Sequence, residues 1–162
     1  MNKLKILTTG GTIDKIYYDD KSDYQIGEPE IGRILKVMNV AFEWEIHALL
    51  RKDSLDLGDD DRALIRQAVM NSEDKYFLIT HGTDTMVETA RALGEAGDRV
   101  IVMTGALNPA RFIDSDAVFN IGCAVGAVQA MPPGVWIAMN GRIWNPGTVR
   151  KNRAANRFEA AG

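Results

Sequence analysis

Cysteine and histidine are scarce in this 162-residue chain, which has one cysteine, Cys123, and two histidines, His47 and His81. A lone cysteine closes no internal disulfide, and one Cys with two His gives no zinc-ligand spacing. A basic excess is also missing. The 19 Lys and Arg stand against 22 Asp and Glu, a formal charge of −3 that argues against a protein coating nucleic acid. No apolar run approaches the roughly 18 residues needed to span a bilayer. The stretch Leu4–Leu7 is too short for a secretory signal, and the segment stops at Gly10-Gly11. These absences lead us to expect a soluble, cytoplasmic chain with no nucleic-acid or membrane partner.

What is present is an ordinary globular composition, 46% hydrophobic and 25% charged, at a length that suits one α/β domain over residues 1–162. Strand-like and helix-like segments alternate. Leu4–Thr9, Phe42–Leu50, Tyr76–Thr80, Arg99–Thr104 and Val135–Asn140 read as strands. Glu28–Asn39, Asp59–Met70, Asp84–Glu95 and Asp116–Met131 read as helices; in the first, Ile31, Ile34, Leu35 and Met38 fall on one face. Such alternation predicts a doubly wound, mostly parallel sheet between two helical layers, with the flavodoxin-like order 2-1-3-4-5. Thr12–Gly27 is too long for an ordinary strand-to-helix loop. With Tyr17, Tyr18 and Tyr24 it reads as a lid, in the form of a small hairpin, or else as a surface insertion. From Gly141 onward five basic residues face one acid, either with Lys151 in the site and its neighbours in a subunit contact or as a solvated, partly disordered end; Lys151 is expected in the site and only the last few residues bland.

In this topology ligands bind beyond the strand ends where the order reverses, between the first and third strands. Thr9-Gly10-Gly11-Thr12 ends one of them, and Thr80-His81-Gly82-Thr83-Asp84-Thr85 ends the other. Thr12, Thr83 and Asp84 are therefore expected on the two walls of one crevice. The dinucleotide GxGxxG, the phosphate-binding GxxxxGK[ST] and the GxSxG nucleophile elbow are all missing. Hydrolysis by a threonine fits better. Its hydroxyl needs a neighbouring base, for which Tyr24 and Lys151 are candidates, with Asp84 placed to hold the lysine. Two plainer readings stand beside this one: Thr83 and Asp84 as caps of the following helix, and His81 as a structural, hydrogen-bonded side chain.

At these residues the sequence resembles the bacterial-type L-asparaginase family (asparaginase/glutaminase). Thr9-Gly10-Gly11-Thr12-Ile13 resembles its first signature and Thr80-His81-Gly82-Thr83-Asp84-Thr85-Met86 its second. Lys21-Ser22-Asp23-Tyr24-Gln25-Ile26-Gly27 is similar to its lid-tyrosine segment, and Asp53-Ser54-Leu55-Asp56 to its substrate-carboxylate loop. Met103–Pro109 with Asp114-Ser115-Asp116 matches its post-strand loop, and Arg150-Lys151-Asn152 falls where the family carries a catalytic lysine.

The resemblance implies an amidohydrolase that converts L-asparagine to L-aspartate and ammonia without a cofactor. Thr12 would attack the side-chain amide and form an acyl-enzyme, assisted by Tyr24. Thr83, Asp84 and Lys151 would form a second triad. Ser54, with Asp53 beside it, would bind the substrate carboxylate and Asp84 its ammonium. The Gly11 and Gly82 turns would supply backbone N–H groups to the oxyanion. Asp14 and Tyr76 stand where the family prefers small residues, and Leu55 replaces a polar residue of some members. Longer members carry a second domain that completes a neighbour's site. This chain would thus be a short form lacking that domain, and a homo-oligomer. The alternatives are a catalytically weak relic that binds asparagine, aspartate or a partner protein, and an amidase for another amide.

Overall fold

Ile6 and Leu7 are neighbours in sequence and both fully buried, yet they belong to separate apolar clusters on opposite faces of one strand. Alternation of this kind requires a sheet covered on both sides. The computed structural model of the chain, which describes residues 1–18 and 23–162, has that architecture. Its central sheet contains β1 (Lys3–Gly10), β4 (Glu43–Lys52), β5 (Tyr76–Thr80), β6 (Val100–Thr104), β7 (Gly134–Met139) and β8 (Arg142–Trp144), in the order β4-β1-β5-β6-β7-β8. All neighbours are parallel except β7 and β8. The first five strands reproduce the predicted order.

One face packs Leu4, Ile6, Leu78 and Val102 against Ile34 and Leu35 of α1 (Ile31–Val37) and Ile121 and Val128 of α4 (Ala117–Ala130). The other packs Leu7, Phe77, Ile79 and Met103 against Ile65 and Val69 of α2 (Asp59–Met70) and Met86 and Leu93 of α3 (Met86–Leu93). No described helix is long and apolar enough to cross a membrane.

Several boundaries differ from those expected. The first helix begins at Ile31, not Glu28, because Pro29 disfavours helical geometry at the residue before it. It ends before Asn39, whose φ of 49° turns the chain left-handed. The third helix also starts late, at Met86 with Thr85 as N-cap.

The long loop after β1 forms a 3-10 turn, Thr12–Asp14, followed by an antiparallel hairpin of β2 (Lys15–Tyr18) and β3 (Asp23–Ile26). Lys21 and Ser22, part of the lid-like segment, lie outside the described residues.

The last few residues, expected to be bland, are ordered as far as Ala160 in a hairpin. Asn140 and Gly141, with φ of 54° and 71°, turn the chain from β7 into β8. This is the Asn-Gly signal of a tight hairpin. A second hairpin follows, β9 (Val149–Asn152) with β10 (Arg157–Ala160). Trp144, Val149 and Phe158 are buried in the α2–α3 core, which anchors the segment. Three apolar residues spaced through a charged stretch leave no periodicity to read.

Candidate active site

The two Gly-Thr turns meet at the carboxyl edge of β1 and β5. Gly11 has φ of 89°, and a Cβ on it would lie 2.5 Å from Gly82 Cα and N. Both its conformation and its clearance therefore require glycine. A Cβ on Gly82 would lie 2.6 Å from Ser54 Cβ and 2.7 Å from its Oγ. Three segments that are remote in sequence thus pack in close contact: the turn before Thr12, the turn before Thr83, and the loop of Ser54. Thr9 Oγ1 donates to Thr80 O at 2.9 Å, which pins the strand ends below them.

Lys151 projects from β9 into this junction. Its Nζ is 2.6 Å from Thr83 Oγ1 and 2.8 Å from Asp84 Oδ1, and its side chain is 10% exposed. An ammonium donates to both oxygens; a neutral amine would take the Thr83 proton across the same short separation. Neither Thr83 nor Asp84 is the helix cap that the plainer reading makes of them. The cap position is Thr85, whose hydroxyl donates to Ser54 O at 2.7 Å. Arg153 Nε lies 3.6 Å from Asp84 Oδ1, so two cations share that carboxylate. Beside the triad opens a cleft of about 200 Å³ lined by Asp84, Glu88, Arg91, Arg150, Lys151 and Arg153.

Ser54 is buried in a 3-10 turn, with the Thr85 amide 3.4 Å from its Oγ. Asp53 accepts the Leu55 amide on one oxygen, and Lys15 sits 3.2 Å from the other. Partial burial alone would push the Asp53 carboxyl up. The Leu55 amide, Lys15 and the ammonium of Lys151 outweigh that and hold it below the usual carboxylate range. Both Asp53 oxygens are already engaged, and Lys15 is a residue that the sequence reading missed. Its only local signal is a position three residues after Thr12.

Thr12 is half-buried at the start of its 3-10 turn. The Gly11 N–H is spent on Lys52 O at 3.0 Å, so Gly11 contributes close approach and not an oxyanion donor. Tyr24 lies in the hairpin that follows the Thr12 turn. It is 45% exposed, opposite Tyr17 in the hairpin, with its ring centroid 5.2 Å from that of Tyr17 and 6.3 Å from that of Phe112.

His81 is structural in its contacts. Its Nδ1–H donates to Gly82 O at 2.7 Å, which leaves Nε2 to accept the Thr89 hydroxyl at 2.8 Å. Arg62 Nε in turn donates to that hydroxyl at 3.2 Å, and burial pushes the imidazole down to about 4. Among the described residues no group of three or more His, Cys, Asp or Glu could hold a metal ion.

The family model "Asparaginase, N-terminal" matches residues 3–160. The chain belongs to the asparaginase family. It is 29% identical over 171 residues to L-asparaginase 2 of Escherichia coli, aligning 94% of this chain with 47% of that protein. Its fold superposes on the thermostable L-asparaginase from Thermococcus kodakarensis with a TM-score of 0.86 at 27% identity, covering 98% of this chain and 51% of that one. A probable cytoplasmic L-asparaginase from Campylobacter jejuni gives 0.80 at 26% identity, covering 99% and 52%. This asparaginase-family chain therefore spans about half the length of the relatives it matches.

Proposed function

We propose that this chain hydrolyses L-asparagine to L-aspartate and ammonia through a threonine ester. The observation that carries the reading is Lys151 within 2.6 Å of Thr83 Oγ1 and 2.8 Å of Asp84 Oδ1, from residues 68 and 67 positions away. A purely structural lysine has no need of a threonine hydroxyl as well as a carboxylate at a crevice where two glycine turns touch.

In the proposed reaction Thr12 Oγ attacks the amide carbon and passes its proton toward the departing nitrogen. The carbon–nitrogen bond breaks, ammonia leaves, and a β-aspartyl ester remains on Thr12. Water activated at the Thr83–Lys151–Asp84 group then cleaves the ester, releasing aspartate and restoring the hydroxyl. N–H groups of the two turns other than Gly11's would face the oxyanion. Tyr24, whose ring packs on Tyr17 and Phe112, would assist Thr12 through its hydroxyl. Ser54 would meet the substrate carboxylate and Asp84 its ammonium. The family names of the relatives support asparagine as substrate, and the Campylobacter neighbour supports a cytoplasmic location.

The same reading makes the chain a homo-oligomer. Phe112 is 45% exposed and Ile113 fully so beside the hairpin, an apolar edge for a second copy to cover. The test is ammonia release from asparagine by the purified chain, with Thr12→Val as control. No release from the parent, or equal release from both proteins, would refute the reading.

A further inference from the structure

Lys15 lies where the Thr12 turn, the hairpin and the Ser54 loop converge. Its backbone N–H donates to Thr12 O, closing the 3-10 turn. In that geometry residues i and i+3 eclipse, so Lys15 and Thr12 share one face of the turn. The Lys15 side chain is 27% exposed and reaches Asp53 Oδ2 at 3.2 Å. An ammonium has three donors. Asp53 takes one of them and leaves the rest directed elsewhere.

The neighbouring groups are already committed. Lys151 is held by Thr83 and Asp84, and Arg153 leans on Asp84. Asp53 Oδ1 accepts the Leu55 amide, and the exposed Leu55 side chain has no polar atom. The side chain this loop offers an anionic ligand is the Ser54 hydroxyl. A single hydroxyl is a weak counterpart for a full negative charge in a partly desolvated crevice, where charged donors bind far better.

We propose that Lys15, with Ser54, binds a carboxylate on the substrate and so restricts the site to amides that carry one. This rests on the amidohydrolase reading above and adds a cation to the carboxylate end of that site. Asp53 holds the lysine extended in the absence of ligand. With substrate bound, the ammonium lies between two carboxylates, and Lys151 helps to stabilise the added negative charge, as it already does for Asp53.

The experiment measures kcat/KM for L-asparagine, for succinamate (carboxylate kept, ammonium removed) and for 3-aminopropanamide (carboxylate removed), with calorimetric binding of L-aspartate. Replacing Lys15→Met should raise KM for asparagine and succinamate by about tenfold to a hundredfold, the loss of one charge-assisted hydrogen bond. The preference for asparagine over 3-aminopropanamide should fall by the same factor, and Lys15→Arg should restore most of it. Asp53→Asn breaks the ion pair but keeps the cation, so it should not lower that preference. If Lys15 were only a strap for the hairpin, Lys15→Met and Asp53→Asn would act alike on all three amides, and that result overturns the proposal. Should the parent release no ammonia, the hydrolytic reading fails and calorimetry still decides: aspartate binding weakened about tenfold in Lys15→Met upholds the role of Lys15. Absent or unchanged binding refutes it.

Discussion

Gly11 and Gly82 touch. A methyl group on Gly11 would fall 2.5 Å from the backbone of Gly82, and one on Gly82 would fall 2.6 Å from Ser54. The turns that carry Thr12 and Thr83 are therefore set in register by backbone contact, while the Ser54 side chain packs against the far side of Gly82.

Two alanine substitutions should separate folding from binding at this junction. Gly11→Ala meets unyielding backbone at a φ of 89° and should lower the melting temperature sharply or prevent folding. Gly82→Ala meets the Ser54 side chain instead. That variant should fold while KM for asparagine rises about tenfold or more, because displacements of about 1 Å are costly. Circular dichroism melting and steady-state kinetics check both. An unchanged KM in Gly82→Ala would remove Ser54 from the binding role.

Thr12→Val and Thr83→Val keep shape while removing a hydroxyl, and each should lower kcat by about 10²-fold or more. They should differ in the step that fails. With Thr12→Val no acyl-enzyme should be trapped on quenching, whereas Thr83→Val should form it slowly or fail to release it. Mass spectrometry of quenched reactions distinguishes these outcomes. Full activity of either variant would refute its role.

Tyr24→Phe should lower kcat, while Tyr17→Phe and Tyr18→Phe should change it far less. The ring contacts of Tyr24 with Tyr17 and Phe112 survive that change, so only the hydroxyl is tested. If closure brings Tyr24 to Thr12, aspartate should also slow proteolysis between Lys15 and Gly27. Equal kinetics of the three variants would leave Tyr24 without a chemical role.

Two buried groups should oppose each other in the pH dependence of stability. Burial raises Asp14 from 3.8 to about 7 in the folded chain, although it accepts the Glu30 amide at 2.9 Å. The folded state then binds its proton where the unfolded state does not, so this group lowers stability as pH rises from about 4 to 7. His81 is lowered from 6.5 to about 4, so the unfolded state is protonated first and stability falls as pH drops through that window. Over the shared range the two slopes nearly cancel. Asp14→Asn keeps an oxygen for Glu30 and removes the charge. It should stabilise the chain at pH 8 by up to about 4 kcal/mol and unmask a slope of about 1.4 kcal/mol per pH unit below 6.5. Urea unfolding at several pH values measures this, and parallel profiles for parent and variant would contradict it.

Much of the fold was legible because it is written in periodicity. Alternating Leu4, Ile6 and Leu7, and the three-four spacing of Ile31, Ile34 and Leu35, each state which face meets an apolar layer. The order of the sheet then follows from short right-handed crossovers. The Asn140-Gly141 turn is just as local a signal but went unread beside the strand that ends at Asn140, and Trp144, Val149 and Phe158 gave none, since their shared core is assembled from strands with no apolar repeat.

The sequence by itself determined the layers, the strand order and the two glycine turns at the crevice, because backbone geometry and apolar burial are set by near neighbours along the chain. Only the tertiary structure decided that Thr83 and Asp84 meet Lys151 and not a helix end, that Lys15 pairs with Asp53, and that the Tyr24 ring packs on Tyr17 and Phe112. Each is a matter of one or two contacts between segments joined by no pattern. Whether it forms depends on ångström-scale distances fixed once the whole sheet has packed.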